Sequence, residues 1–133
     1  MKLLLDSHAL IWSLLDTAKL PAPVRKLMEN PVNEVLVSSV SFWEIALKHA
    51  LGKLVLENTS PEELREKSIE AGFKLIALEP QDAASFHKLP KLERKDPFDR
   101  MLVWQAIRGG YTLISRDPAL REYEIHGLTL HWR

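Results

Sequence analysis

Short apolar runs of strand length alternate along this chain with longer stretches of helical period, and that alternation limits the possible fold more than any other feature. Leu3–Asp6, Glu34–Ser38, Phe73–Leu78, Tyr111–Ser115 and Leu128–His131 are leucine-rich or β-branched segments bounded by polar and turn residues, which is the pattern of strands. Between them, Ser7–Leu15, Val24–Asn30, Ser41–Leu51, Pro80–Lys88 and Pro97–Arg108 read as helices, and Pro118–Glu122 as a helical turn. One more helix follows Ser60-Pro61-Glu62-Glu63, where a serine cap, a proline in the first turn and a glutamate three residues after the serine form a start signal. It runs to about Ala71, where Gly72 stops it. Strands separated by helices imply a parallel sheet covered on both faces. The expected fold is therefore α/β, a three-layer α/β/α sandwich with a mainly parallel central sheet. With no repeat, low-complexity segment or linker, residues 1–133 are expected to form one domain.

Composition narrows the function classes. No apolar run approaches the roughly 20 residues that cross a bilayer, so no membrane association is expected. The opening Met1-Lys2-Leu3-Leu4-Leu5 is cut short by Asp6 and His8, too early for the apolar core of a signal peptide. There are no cysteines, which excludes disulfides and thiolate metal sites and fits a cytoplasmic protein. Eighteen basic and eighteen acidic residues balance to zero net charge, so the chain is not built to coat nucleic acid by bulk charge. An enzyme that grips phosphates locally and carries its own cations remains open.

Four acids stand where such chemistry needs them. Asp6 follows the run Leu3–Leu5, and Asp117 follows Tyr111–Ser115. Glu44 and Asp99 stand near the starts of helix-like stretches. Each has a plain structural reading. Asp6 caps the helix from Ser7, Ser41-x-x-Glu44 forms a capping box, and Asp117-Pro118 caps a turn. Asp96-Pro97-Phe98-Asp99 puts a cap at 96 and a second acid at the positive helix end. Taken together they suggest more. Strand ends and the helix starts that follow share one edge of an open α/β sheet, where ligands bind. Clustered carboxylates repel unless a cation neutralises them, and oxygen ligands favour hard ions such as Mg²⁺ or Mn²⁺.

The segments Leu3-Leu4-Leu5-Asp6-Ser7-His8, Ser38-Ser39-Val40-Ser41-Phe42-Trp43-Glu44-Ile45, Asp96-Pro97-Phe98-Asp99-Arg100-Met101-Leu102 and Leu113-Ile114-Ser115-Arg116-Asp117 resemble, in this order and over essentially the whole length, a PIN-domain protein of the VapC toxin type. The resemblance implies a Mg²⁺- or Mn²⁺-dependent endoribonuclease in which Asp6, Glu44 and Asp99 bind metal and Asp117 assists. Phosphodiester hydrolysis by a metal-activated water follows from it, as do a homodimer and a small antitoxin whose C-terminal segment covers the site. Asp96 is expected to be a cap that also approaches the site. The alternative is a PIN fold without catalysis, or a Mg²⁺-binding regulatory module. All four acids are present, which speaks against a decayed site, and Asp6-Ser7-His8 lacks the acidic pair of a receiver-type domain. Cleavage of DNA by the same chemistry stays open.

Substrate contacts are expected from Ser7 and Ser115 beside the acids, and from Arg100 and Arg116. Between Lys88 and Arg100, the basic residues Lys88, Lys91, Arg94, Lys95 and Arg100 read either as a solvated loop or as a grip on RNA phosphates. The histidines lack the spacing of a zinc hydrolase, and His8 reads as a surface residue. The tryptophans read mostly as core. Phe42 or Trp43 is the candidate for a partner surface, because that helix holds more apolar residues than one buried stripe needs.

Overall fold

A computed structural model describes residues 1–92 and 96–132. Strands β1 (Lys2–Leu5), β2 (Glu34–Ser38), β3 (Lys74–Ile76), β4 (Thr112–Ile114) and β5 (Thr129–His131) form one sheet in the order β3-β2-β1-β4-β5, and each pairing is parallel. β1 is central because it is apolar on both sides, with Leu3, Leu4 and Leu5 all fully buried. Burial of each leucine contributes about 1.5–3 kcal/mol. Leu3 and Leu5 join Val35 and Val37 on one face, while Leu4 joins Leu36 and Leu113 on the other.

Helices cover both faces. α1 (Ser7–Leu15), α2 (Ala22–Glu29), α3 (Ser39–Ala50) and α4 (Pro61–Glu70) supply Ala9, Leu10, Val24, Ile45 and Leu64 to the first. After α5 (Pro80–Ser85), α6 (Pro97–Gly109) supplies Leu102, Val103 and Ala106 to the second, and the 3-10 run Pro118–His126 adds Leu120 and Tyr123. The expected three-layer arrangement is thus present. No helix among the described residues is long and apolar enough to cross a membrane.

Several boundaries differ from expectation. α3 begins at Ser39, with no residue between it and β2, and its cap is Ser38, whose Oγ accepts from the Val40 N–H at 3.0 Å. The expected Ser41–Glu44 capping box does not form; both residues lie inside the helix. β3 is shorter than expected because it is an edge strand, paired only with β2. The turn expected at Pro118–Glu122 extends to His126. α6 closes on Gly110 in the left-handed conformation (φ 70°), which glycine adopts without strain.

The sheet order locates the crevice. From β1 the chain moves outward to β2 and β3, then crosses back to lay β4 and β5 on the other side. Direction reverses between β1 and β4, and at such a switch point the carboxyl ends of the strands open a cleft. Leu5 is in register with Ile114, and the Asp6 N–H donates to the Ile114 carbonyl at 3.1 Å. Asp6 and Ser115 therefore leave the sheet side by side.

Candidate metal centre

At this switch point lies a cleft of about 340 Å³ whose walls include Asp6, Glu44, Asp96, Asp99 and Asp117. The five acids reach it from four places in the chain: Asp6 from the end of β1, Glu44 from the second turn of α3, Asp96 and Asp99 from the start of α6, and Asp117 from beyond β4. Glu44, Asp96 and Asp99 each place a carboxylate oxygen within 4.8 Å of the others. Asp6 and Asp117 line the same cleft without belonging to that trio.

Capping and cleft-lining prove to be compatible. Asp6 Oδ1 accepts from the Ala9 N–H at 2.8 Å, and Asp117 Oδ1 accepts from the Ala119 N–H at 2.9 Å. Asp96 Oδ1 accepts from the N–H groups of Phe98 and Asp99 at 2.9 and 3.2 Å. A carboxylate has about four acceptor positions, so one backbone bond leaves capacity for a ligand. Asp96 is both a cap and a member of the trio, a stronger part than the sequence suggested for it.

Hydroxyls orient the two most buried acids. Ser7 Oγ donates to Glu44 Oε1 at 2.5 Å, and both residues are buried. Ser115 bonds the Asp6 side chain, and its Oγ accepts from the Asp117 N–H at 3.2 Å. Burial pushes the Asp6 carboxyl above its ordinary value of 3.8, and the Glu44 charge adds to this. The bonds from Ser115 and the Ala9 N–H oppose it, as does the charge of His8. Ser7 and Ser115 thus hold acids in place, and Ser7 also lines the cleft.

Three basic residues also enter the cleft. Lys48, one helical turn beyond Glu44, bonds Glu44 Oε2 through Nζ. Burial alone would lower the Lys48 pKa. The hydrogen bond and charge of Glu44, with the charges of Asp96 and Asp99, outweigh it and hold the ammonium above the ordinary value of 10.5. Sequence reasoning missed Lys48, although the i, i+4 spacing from Glu44 on one helix was the available signal. Arg116 lines the cleft as expected, and the exposed His8 does so too.

Arg100, expected near the substrate, is not among the residues lining the cleft. Its guanidinium donates to the Leu89 carbonyl at 3.3 Å and lies 4.9 Å over the Phe86 ring, away from the cleft. Successive helical residues point about 100° apart, so a side chain next to Asp99 does not share its direction. Arg94 and Lys95 lie outside the described residues, and Lys88 and Lys91 are exposed. Trp43 is 62% exposed, its ring edge-on to Phe98 at 5.0 Å, whereas Phe42 packs against the core.

The donor set fits a hard divalent cation. It is all carboxylate oxygen, the ligand type that Mg²⁺ and Mn²⁺ favour.

A PIN domain family model matches residues 3–125. The chain belongs to the PIN domain family. This PIN domain is also 26% identical over 120 residues, 90% of each chain, to the protein named Ribonuclease VapC22 from Mycobacterium tuberculosis. Among solved structures, a chain of the DNA-bound VapBC of Salmonella typhimurium superposes with a TM-score of 0.69 at 20% identity, covering 100% of this PIN domain and 99% of that chain. A chain of VapBC2 of Rickettsia felis, bound to a promoter DNA fragment, gives 0.66 at 17% identity with 98% of both covered. These likenesses agree on the parallel α/β fold.

Proposed function

We propose that this PIN domain is a Mg²⁺- or Mn²⁺-dependent endoribonuclease and the toxin of a toxin–antitoxin pair. The observation that carries the reading is the meeting of Glu44, Asp96 and Asp99 at the switch-point cleft, with Asp6 and Asp117 on the same walls. The relative named as a ribonuclease, matched over 90% of its length, supports RNA as the substrate.

Glu44, Asp96 and Asp99 would hold the cation, and Asp6 and Asp117 line the same cleft. A divalent ion bound there would supply the Lewis acidity that phosphodiester hydrolysis needs. The protein's own groups do the rest. Ser7 fixes the rotamer of Glu44, and Ser115 with the Ala9 N–H aims Asp6. Lys48 offsets part of the crowded negative charge, and Arg116 meets the phosphate backbone at the rim.

The partner reading rests on α3. Trp43, Leu47 and Leu51 recur every four residues and are 62%, 39% and 59% exposed, an apolar stripe on a helix whose other face is core. A small antitoxin covering this stripe and the adjoining cleft would both bury it and silence the site. The structural neighbours include VapBC assemblies, which supports such a partner. A homodimer and a cytoplasmic location, beside the RNA it would cut, complete the proposal.

Structured RNA incubated with partner-free protein in Mg²⁺, Mn²⁺ or EDTA, beside Asp6→Asn, tests it. Cuts that require metal and vanish in the variant are expected. Equal cutting by the variant would assign the activity to a contaminant, and no cutting by folded protein would remove the enzymatic reading.

A further inference from the structure

Beside the acidic cleft stands a group of rings and cations that the metal chemistry does not use. Trp12, on α1, is its centre. The Arg116 guanidinium carbon lies 4.8 Å over the Trp12 ring and Lys19 Nζ lies 5.8 Å from it. The His8 ring stands 5.6 Å from Trp12 at a 48° tilt, and Trp132 stands 5.9 Å away. Trp12 and Trp132 are half-buried and pack against the core, so they anchor the group. His8 and Arg116 are exposed, and both also line the cleft. They are therefore the members that a ligand in the cleft meets first.

This arrangement has the chemistry of a base platform. Unstacked RNA bases are held by stacking on aromatic rings and on arginine guanidinium planes. A guanidinium over an indole is attracted to the ring face, which favours that placement before any ligand arrives. The sequence positions suit the purpose as well. His8 is two residues beyond Asp6 and Arg116 immediately precedes Asp117. Platform and acids therefore share the β1 and β4 ends, and a strand crossing one reaches the other.

We propose that His8, Trp12 and Arg116 form a base-binding subsite, where an unstacked base of single-stranded RNA lies against His8 and Arg116 while a neighbouring phosphodiester occupies the acidic cleft. The inference rests on the ribonuclease reading for its ligand, but stacking can be measured apart from cutting. Lys19 and Arg116 give the surface a positive rim suited to the strand's phosphates.

The test uses partner-free protein in Ca²⁺ and two fluorescein-labelled oligomers of equal length, a single-stranded oligoribonucleotide and its fully abasic counterpart, read by anisotropy. Arg116→Lys keeps the charge but loses the planar stacking group, and His8→Ala removes an exposed ring. Wild type should prefer the base-bearing oligomer, and each variant should bind it roughly 5- to 150-fold more weakly with a smaller loss on the abasic oligomer, so that the preference for bases shrinks. Urea unfolding at the wild-type midpoint reports an intact fold for each variant. The subsite is overturned if wild type binds neither oligomer or binds both equally. It is overturned too if Arg116→Lys retains wild-type affinity, or if the variants weaken only the capture of a protein partner. Cutting in Mg²⁺ is scored separately. Base discrimination without cutting would sink the nuclease reading and leave the subsite, and cutting without discrimination would do the reverse.

Discussion

Lys48 stands one turn beyond Glu44 on α3, and its ammonium is bonded to the Glu44 oxygen opposite the one that Ser7 holds. Glu44 is thus shared between an internal cation and the place where a divalent ion would sit with Asp96 and Asp99. Lys48→Met removes the competitor. Mn²⁺ affinity should rise about tenfold, read by calorimetric titration. Unfolding in urea with EDTA should show the opposite sign, a loss of roughly 1–2 kcal/mol. That is below the usual cost of breaking a fully buried pair, because the Lys48 side chain is 35% exposed while that of Glu44 is 5% exposed. Unchanged or weaker Mn²⁺ binding would show that the lysine does not compete.

Asp6 carries a stability cost with a defined pH window. Its folded-state pKa is raised above 3.8, chiefly by burial. Below 3.8 the carboxyl is neutral in both states and costs nothing. As pH climbs from 3.8 through the raised folded value, the unfolded chain releases its proton first and the fold loses stability. Asn at this position keeps an oxygen for the Ala9 N–H and never ionises. Metal-free Asp6→Asn should be more stable than wild type at pH 7 by roughly 1 kcal/mol, with the gap closing toward pH 4, while RNA cutting falls at least about 100-fold. Urea midpoints across pH check the first part; a constant gap would mean that burial of the charge is not its cause.

Asp96 can be divided into its two roles. Serine caps a helix about as well as aspartate but offers no carboxylate. Asp96→Ser should therefore unfold within about 0.5 kcal/mol of wild type and bind Mn²⁺ roughly 10- to 100-fold more weakly. Asp96→Ala should lose about 1 kcal/mol more through the missing cap. Full Mn²⁺ affinity in the serine variant would reduce Asp96 to a cap.

The α3 stripe makes a separate prediction. Leu47→Glu with Leu51→Glu changes exposed positions, so thermal unfolding should barely move. Capture of the cognate antitoxin, followed by surface plasmon resonance, should weaken by about tenfold or more. Undiminished capture would place the partner on another face.

The sheet was legible in the sequence because its strands are unambiguous. Leu3–Leu5 and Val35–Val37 are apolar at every position, as strands buried on both faces must be. The helix starts were harder to read. Ser38, Ser39 and Ser41 are all competent caps, and nothing local says that β2 passes into α3 without a loop; Ser38 is still paired with Ile76 in the sheet while its hydroxyl already caps the helix. The acids at the site were legible because strand ends and helix starts converge in this topology. What they touch was less so. Arg100 looks like a neighbour of Asp99, but helical rotation turns it toward Leu89. Lys48 joins the site through a one-turn spacing, while Asp96 joins it only because α6 begins opposite α3. The platform of His8, Trp12, Arg116 and Trp132 brings together residues more than 100 positions apart, and no local pattern announces it.

Mn²⁺ titrated into partner-free, metal-free protein and followed by electron paramagnetic resonance tests the centre most directly. Saturable binding by wild type is expected, falling at least about tenfold in Glu44→Gln and in Asp99→Asn while both variants stay folded. Absence of saturable binding by folded wild type, or binding that neither substitution weakens, would contradict a metal centre built on these carboxylates.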